Sequence, residues 1–143
     1  MKESQHWQLF CLPGKNRTKD SQMEKTTLVL GASPNPERYS YRAVRSLLSR
    51  KMPVIAIGKR DFLKDDLKIR KGLPENVGPV HTVALYLNAN NQKEYYNYIL
   101  SLKPARIIFN PGTANIEFEE ILVKQGIEVV SDCMLIMLSC GKF

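Results

Sequence analysis

The turn at residues 31–40 combines residue types that bind phosphate groups. Gly31 allows a sharp backbone turn and the close approach of a ligand, and Ser33 can either cap a helix or hydrogen-bond a phosphate oxygen. Arg38 adds a planar fork of donors that matches phosphate, and two prolines keep the loop stiff. The pattern predicts a phosphate-binding loop. An ordinary strand-to-helix connection that binds nothing is the alternative, because a glycine and a serine after a strand are a weak signal alone.

The segments on either side would place this 31–40 loop at the carboxyl edge of a sheet. Residues 26–30 are short, β-branched and apolar, which predicts a buried strand. After the loop, apolar residues recur at helical spacing at Ala43, Val44, Leu47 and Leu48. Such a helix would direct its unpaired first-turn N–H groups, and the positive end of its dipole, at an anion above the strand.

A pair of basic residues follows the second apolar run. Residues 53–57 predict another buried strand, and Gly58, Lys59 and Arg60 come directly after it. In dinucleotide-binding folds an acidic residue at this tip hydrogen-bonds the free ribose hydroxyl of NAD. The basic pair therefore favours a ribose that carries a phosphate, as in coenzyme A or NADP. Two solvated side chains that contact no ligand are the alternative.

The remaining chain continues the alternation of strands and helices. Strands are predicted at residues 83–87, 105–109 and 127–130, and helices at residues 92–102, at residues 116–125 with Gly126 closing the end, and from a cap at Asp132 through Cys140. Residues 61–79 predict an irregular connection, with at most one short strand near residues 68–70. Five strands alternating with helices indicate an α/β fold with a doubly wound parallel sheet in three layers. Its carboxyl edge would hold the 31–40 loop and a second polar loop, the 110–115 loop.

Length and charge narrow the class of ligand. The 143 residues are 43% hydrophobic and 24% charged, as in one globular domain, and no apolar run approaches the roughly 20 residues of a membrane span. The net charge of +7 favours a polyanionic ligand. Because the basic residues are spread along the chain without a nucleic-acid motif, a small phosphorylated nucleotide is preferred over DNA or RNA, and no membrane contact is expected.

The cysteines and the first residues bear on compartment and domain bounds. Three cysteines without CxxC spacing favour neither a disulfide framework nor a zinc site, so we expect no metal and a reducing, cytoplasmic setting. Residues 1–22 are polar without a sustained period, which predicts a disordered arm. The predicted domain spans residues 23–143, and Met23, directly before the first strand, is the natural start that the sequence suggests.

Nearly all of the chain beyond the arm, residues 26–140, resembles the small stand-alone CoA-binding proteins of bacteria. The resemblance rests on residues 31–33, on Pro36, on residues 38–40, on residues 110–112 and on the ending at residues 126–134. It implies a Rossmann-like fold shared with the CoA-binding domain of the succinyl-CoA synthetase α subunit. The chain departs from the family after the second strand, where Asn-Pro is usual and Gly58 precedes the basic pair.

The resemblance also implies where coenzyme A would lie. One group of residues would line the pyrophosphate and pantetheine entrance: Gly31, Ala32, Ser33, Arg38 and Tyr39. Lys59 and Arg60 would stand near the adenosine. Pro111 and Gly112 would form the opposite wall, and Ser40 and Asn110 are further candidate ligand-binding residues.

The resemblance implies binding of coenzyme A or an acyl-CoA, and the inventory of titratable residues predicts binding without catalysis. The two histidines are His6, in the arm, and His81, which precedes a strand and so belongs at the wrong edge of the sheet for acid–base work there. An NADP-binding reductase or nucleotide sensor that uses the same loops is the alternative. A third interpretation is a regulatory protein that reports coenzyme A status to a partner or forms a homodimer through its apolar final helix.

Overall fold

The computed structural model describes residues 25–143. The predicted arm at residues 1–22 lies outside the described residues. Seven strands form one sheet in the order β3-β4-β2-β1-β5-β6-β7. They are β1 (Thr27–Ala32), β2 (Val54–Gly58), β3 (Phe62–Lys64), β4 (Leu67–Lys71), β5 (Thr82–Leu85), β6 (Arg106–Phe109) and β7 (Glu128–Ser131). All neighbours are parallel except β3 and β4.

Helices connect β1 to β2, β5 to β6 and β6 to β7, and one more helix follows β7. They are α1 (Tyr39–Ser49), α2 (Ala89–Gln92), which continues through a 3-10 turn (Lys93–Tyr95) into α3 (Tyr96–Leu102), α4 (Ile116–Lys124) and α5 (Met134–Ser139). Gly126, at φ 78°, follows the end of α4 as predicted. The predicted helix 92–102 starts earlier than expected, because the side chain of Asn88 accepts from the Asn91 N–H and caps α2.

Both faces of the sheet are covered, so the layered arrangement predicted from the sequence is confirmed. Under α1 and α5, Val29 and Ala84 of the sheet pack with Leu47 and Met134. Under α3 and α4, the opposite face buries a second apolar cluster around Phe118. Strands covered on both sides must be apolar throughout, which explains their β-branched runs.

The connection after β2 was predicted wrongly as irregular apart from one short strand. It contains the antiparallel hairpin β3–β4, closed by a two-residue turn in which Asp65 has φ 56°. Leu67 and Ile69 alternate with exposed or half-buried charged residues and are buried, which is the period of a strand with one covered face. Arg45 of α1 donates to Asp66 at 2.6 Å and so ties the hairpin to the helix.

The start of α5 corrects a second prediction. Asp132 does not cap the helix, because the residue at the cap position is Cys133 and its side chain makes no capping bond. The Asp132 carboxylate instead accepts from the adjacent Cys133 N–H at 2.7 Å. The first-turn N–H of Met134 donates to the Asn110 side chain at 2.8 Å, so the cap comes from the end of β6.

Candidate functional site

The strand order reverses beside β1. From β1 the chain passes over α1 to β2 on one side, whereas β5, β6 and β7 follow one another on the other side. In doubly wound sheets ligands bind beyond the carboxyl ends of the strands at this reversal. The crevice therefore lies above the ends of β1 and β5, and its floor is formed by Gly31, near the end of β1, and by Tyr86, the residue after β5.

Gly31 is required by the sheet itself. The pairing of β1 with β2 shifts between Leu30 and Ala32, so Gly31 forms a bulge, with φ 96°. A Cβ on Gly31 would lie 3.0 Å from the carbonyl carbon of Tyr86. The close approach predicted for a ligand is made here by the backbone after β5.

Side-chain turns shape the loop that leads into α1. Ser33 Oγ accepts from the Asn35 N–H at 3.1 Å, and Asn35 Oδ1 accepts from the Glu37 N–H at 3.0 Å. The helix starts after Arg38, which has extended backbone angles and makes no side-chain cap, so Ser33 does not cap it. A hydroxyl that only accepts from the backbone keeps its proton to donate to a ligand.

The amino end of α1 is open and basic. Its first turn contains no acidic residue, and no side chain caps it. Arg38 is exposed, Tyr39 has 66% of its surface exposed, and the Arg42 guanidinium lies 5.5 Å from the centre of the Tyr39 ring. Ser40 is buried on the inner side of the same turn. Unpaired N–H groups, the helix dipole and the guanidinium together suit an anion.

Tyr86 places an unpartnered hydroxyl in this region. Within residues 25–143 its Oη is the only buried side-chain nitrogen or oxygen without a hydrogen-bond partner. Burial, with a smaller contribution from the nearby Cys133 thiol, raises the pKa of Tyr86 well above its usual value. The hydroxyl is therefore a neutral donor over the whole physiological range.

The loop above β6 forms the other wall of the crevice. The Asn110 side chain is buried, donates to the Leu85 carbonyl at 3.0 Å and accepts from Met134, so it joins β5, β6 and α5. Thr113 Oγ1 donates to the Asn110 carbonyl at 2.7 Å and closes the turn. Pro111 and Gly112 are exposed at its tip. Of the three candidate residues predicted in this loop, Asn110 holds the fold together, whereas Pro111 and Gly112 remain open to a ligand.

Gln92 fixes that wall against the end of β5. Its side-chain nitrogen, fully buried, donates to the carbonyls of Leu87 at 2.8 Å and Thr113 at 2.7 Å, and its oxygen accepts from Asn115 at 2.9 Å. Asn115 also donates to the Tyr96 hydroxyl at 2.8 Å. Every polar atom of the Gln92 side chain is satisfied, so the 110–115 loop is held in one position before any ligand arrives.

Lys59 and Arg60 lie on the other side of the crevice. Both are exposed and follow Gly58, which is the Cα partner of Ala32. They share the carboxyl edge with the amino end of α1, whereas Pro111 and Gly112 lie across β1 and β5 from them. Sequence reasoning missed Tyr86 and Gln92. Both are polar residues near the carboxyl end of a predicted buried strand, Tyr86 within the strand predicted at residues 83–87 and Gln92 at the start of the helix predicted after it, and that place is the signal that could have drawn attention to them.

The described residues hold neither a membrane-spanning helix nor a clustered metal-ligand set. No helix within residues 25–143 is both long enough and apolar enough to cross a bilayer. The same part of the chain contains no group of three or more His, Cys, Asp or Glu side chains that could hold a metal ion.

Comparison with known proteins matches residues 25–139 to the family model described as a CoA binding domain. No curated protein matches the chain. Among solved structures, the crystal structure of an uncharacterized protein is 50% identical, with a TM-score of 0.78, over 83% of this chain and 98% of the other. The cell-free ID.343 protein from Thermus thermophilus is 25% identical, with a TM-score of 0.74, over 91% of this chain and 98% of the other.

A hypothetical protein from Pyrococcus horikoshii OT3 has the same fold. It is 22% identical, with a TM-score of 0.70, over 85% of this chain and 86% of the other. The matched region makes up between 86% and 98% of each of these three neighbours.

Proposed function

Because the chain belongs to the CoA-binding domain family, we propose that it binds coenzyme A or an acyl-CoA at the crevice between β1 and β5 and carries out no chemistry of its own. The observation that carries this proposal is the open, basic amino end of α1 at the point where the strand order reverses. An arginine beside the positive end of a helix dipole is unfavourable in the free protein. A bound pyrophosphate would offset that repulsion.

The residues around the crevice fit such a ligand. Arg38 and the first-turn amides of α1 would hold the pyrophosphate. The exposed Tyr39 ring would cover one side of the entrance, and Pro111 and Gly112 would form the opposite wall. The Tyr86 hydroxyl, which is buried and lacks an acceptor, would find one in an amide or thioester carbonyl of the ligand. When bound, coenzyme A supplies a thiol that carries acyl groups.

The placement of titratable groups supports a binding role. His81, the one histidine among residues 25–143, precedes β5 at the amino edge of the sheet, opposite the crevice. A small nucleotide suits the three basic side chains of Arg38, Lys59 and Arg60 gathered at one edge better than a nucleic acid does. The cytoplasm belongs to the same proposal, because an odd number of cysteines suits a reducing compartment.

Calorimetric titration of the full chain tests the ligand. Coenzyme A, dephospho-CoA, NADP and NAD are titrated in parallel at one salt concentration, and we expect coenzyme A to bind more tightly than NADP or NAD. Binding of NADP alone would move the protein to the redox class, and no binding of coenzyme A would refute the proposal.

Incubation with acetyl-CoA tests the absence of chemistry. We expect the thioester to survive as long with the protein as in buffer alone, followed by chromatography of the nucleotide. Loss of acetyl-CoA that grows with protein concentration would show an activity and overturn this part of the proposal.

A further inference from the structure

The strand register brings a third cation to the edge that carries Lys59 and Arg60. Ala32 is the Cα partner of Gly58, and Gly58 is the Cα partner of Lys71. These three residues form a row across the carboxyl ends of β1, β2 and β4. Lys71 belongs to the segment that the sequence predicted as an irregular connection, and only the β3–β4 hairpin places it here.

The spacing of this row suits a second anionic group beside the pyrophosphate proposed at the amino end of α1. Neighbouring strands lie about 4.8 Å apart, so the Lys71 Cα stands roughly 10 Å from the Ala32 Cα. An extended lysine side chain on its four-carbon stem reaches about 6 Å. The Lys71 ammonium can therefore contact a group several Å away from the pyrophosphate position, on the side of β2.

The alternation of side chains along β4 puts Lys71 on the face of the sheet that α1 covers. Leu67 and Ile69 are buried in the apolar cluster under α1. Side chains two residues apart share a face of a strand, so Lys71 lies on the α1 face, as the open helix end does. Lys68, exposed on the same strand, has the opposite parity and belongs to the other face.

Residues 59–61 form the basic turn after β2, and the side chain of Asp61 holds this turn to Lys71. Asp61 Oδ1 accepts from the Lys71 N–H at 3.0 Å, which holds the turn after β2 against the end of β4. Among residues 25–143 the one ion pair joins Arg45 to Asp66, so none of the three cations at this edge is neutralised by a salt bridge. Three positive charges that repel one another there are stabilised by a ligand of multiple negative charge.

We propose that Lys71, with Lys59 and Arg60, binds a phosphate monoester on the ribose of the nucleotide, separate from the pyrophosphate held at α1. This inference rests on the proposed function and sharpens it, because it assigns the 3′-phosphate of coenzyme A to a three-cation site. The ligand class is a nucleotide that carries both a pyrophosphate and a ribose phosphate. Lys71 then sets the preference for coenzyme A over dephospho-CoA.

The variants Lys71→Gln and Lys68→Gln test the proposal in the full chain. Each removes one positive charge from the same strand, so general electrostatic attraction changes equally, and thermal unfolding checks that both fold. Affinities for coenzyme A and dephospho-CoA are measured by calorimetry. We expect Lys71→Gln to weaken coenzyme A binding about tenfold while leaving dephospho-CoA binding unchanged, because dephospho-CoA lacks only the 3′-phosphate. Lys68→Gln should alter neither affinity selectively.

The outcomes separate this inference from the function on which it rests. If the unaltered protein binds coenzyme A and Lys71→Gln keeps the same preference over dephospho-CoA, Lys71 has no part in the site and the inference is wrong, while the proposed function stands. Equal weakening of both ligands in Lys71→Gln also refutes it. If the unaltered protein binds no coenzyme A, both proposals fail together. A preference for NADP over coenzyme A would mean that the site binds a 2′-phosphate in place of a 3′-phosphate, and it would refute the proposed assignment.

Discussion

At the scale of single residues, Arg38 lies directly before α1, and its predicted role is to bind a phosphate group of the ligand. It precedes the first turn of α1, is exposed, and makes no capping bond. Arg38→Ala should weaken binding of coenzyme A by about 1.5–3 kcal/mol if the guanidinium makes a charge-assisted bond to phosphate. Arg50→Ala, at the other end of the same helix, is the matched control in the calorimetric titration. Equal affinities in the two variants would remove Arg38 from the site.

At Tyr86 one substitution should change stability and ligand binding in opposite directions, because its hydroxyl is buried without a partner. Tyr86→Phe removes a polar atom whose burial is uncompensated, so the free energy of unfolding should rise by about 1 kcal/mol. The same change should weaken ligand binding, because the ligand's carbonyl would lose its donor. Urea unfolding and calorimetry on one preparation measure both effects.

Tyr98→Phe is the control for this pair of effects. The Tyr98 hydroxyl donates to the Pro74 carbonyl at 2.6 Å, so its removal should lower the free energy of unfolding by about 1 kcal/mol and leave ligand affinity unchanged. Destabilisation of the Tyr86 variant by a similar amount would mean that its hydroxyl already has a partner in solution.

At the scale of elements, the fit between β1 and β2 depends on Gly58. A Cβ there would lie 2.3 Å from the Ala32 carbonyl oxygen and 3.0 Å from Ile69 Cγ2. The backbone oxygen cannot move without breaking the sheet, so Gly58→Ala should destabilise the fold by about 3 kcal/mol and shift the basic turn that follows.

Gly112→Ala separates this clash from the loss of a glycine in general. At Gly112, φ is 89° and a Cβ would meet nothing within 4 Å, so only the backbone strain of about 1–2 kcal/mol is expected. Chemical denaturation of both variants gives the comparison. A smaller cost at Gly58 than at Gly112 would contradict the contact between β1 and β2.

The elements also show how far sequence alone could go. The strands β1, β2, β5, β6 and β7 and the helix α1 were predictable because apolar β-branched runs and helical spacing are local properties. The β3–β4 hairpin was not, because its strands carry many charges and only Leu67 and Ile69 report a buried face. The bonds of Asn110 to Leu85 and Met134 join residues 24 or more positions apart, and no local pattern encodes them.

At the scale of the whole molecule, the two edges of the sheet have different roles. The carboxyl edge gathers the candidate site, and the amino edge joins strands through the backbone of His81. The His81 N–H donates to the Thr26 carbonyl at 2.9 Å, and its carbonyl accepts from Ala105 and Arg106. Stability at one edge can therefore be probed without touching the other.

Acid should weaken the fold through His81. Burial, then the charges of Lys25 and Arg106, lower the pKa of His81 below its ordinary 6.5, and Glu128 opposes this only in part. The unfolded chain then binds more protons than the folded chain as pH falls through about 6.5, so the free energy of unfolding falls with it. Unfolding at pH 7.5 and 5.5 should show a larger decrease in the natural chain than in His81→Gln. Identical pH dependence would exclude this origin.

The central position of β1 has a consequence for synthesis. Among the described elements β1 leaves the ribosome first, and β2 soon covers one of its sides. Its other side pairs through Thr27 with Thr82 of β5, far along the chain. At about 5–20 residues per second, the growing chain waits roughly 3–11 s for that partner. Through this interval the backbone of β1 has no hydrogen-bonding partner strand on that side. Leu28, Val29 and Leu30, which are fully buried in the folded chain, are then accessible to chaperones that bind nascent chains, and the nucleotide site does not yet exist.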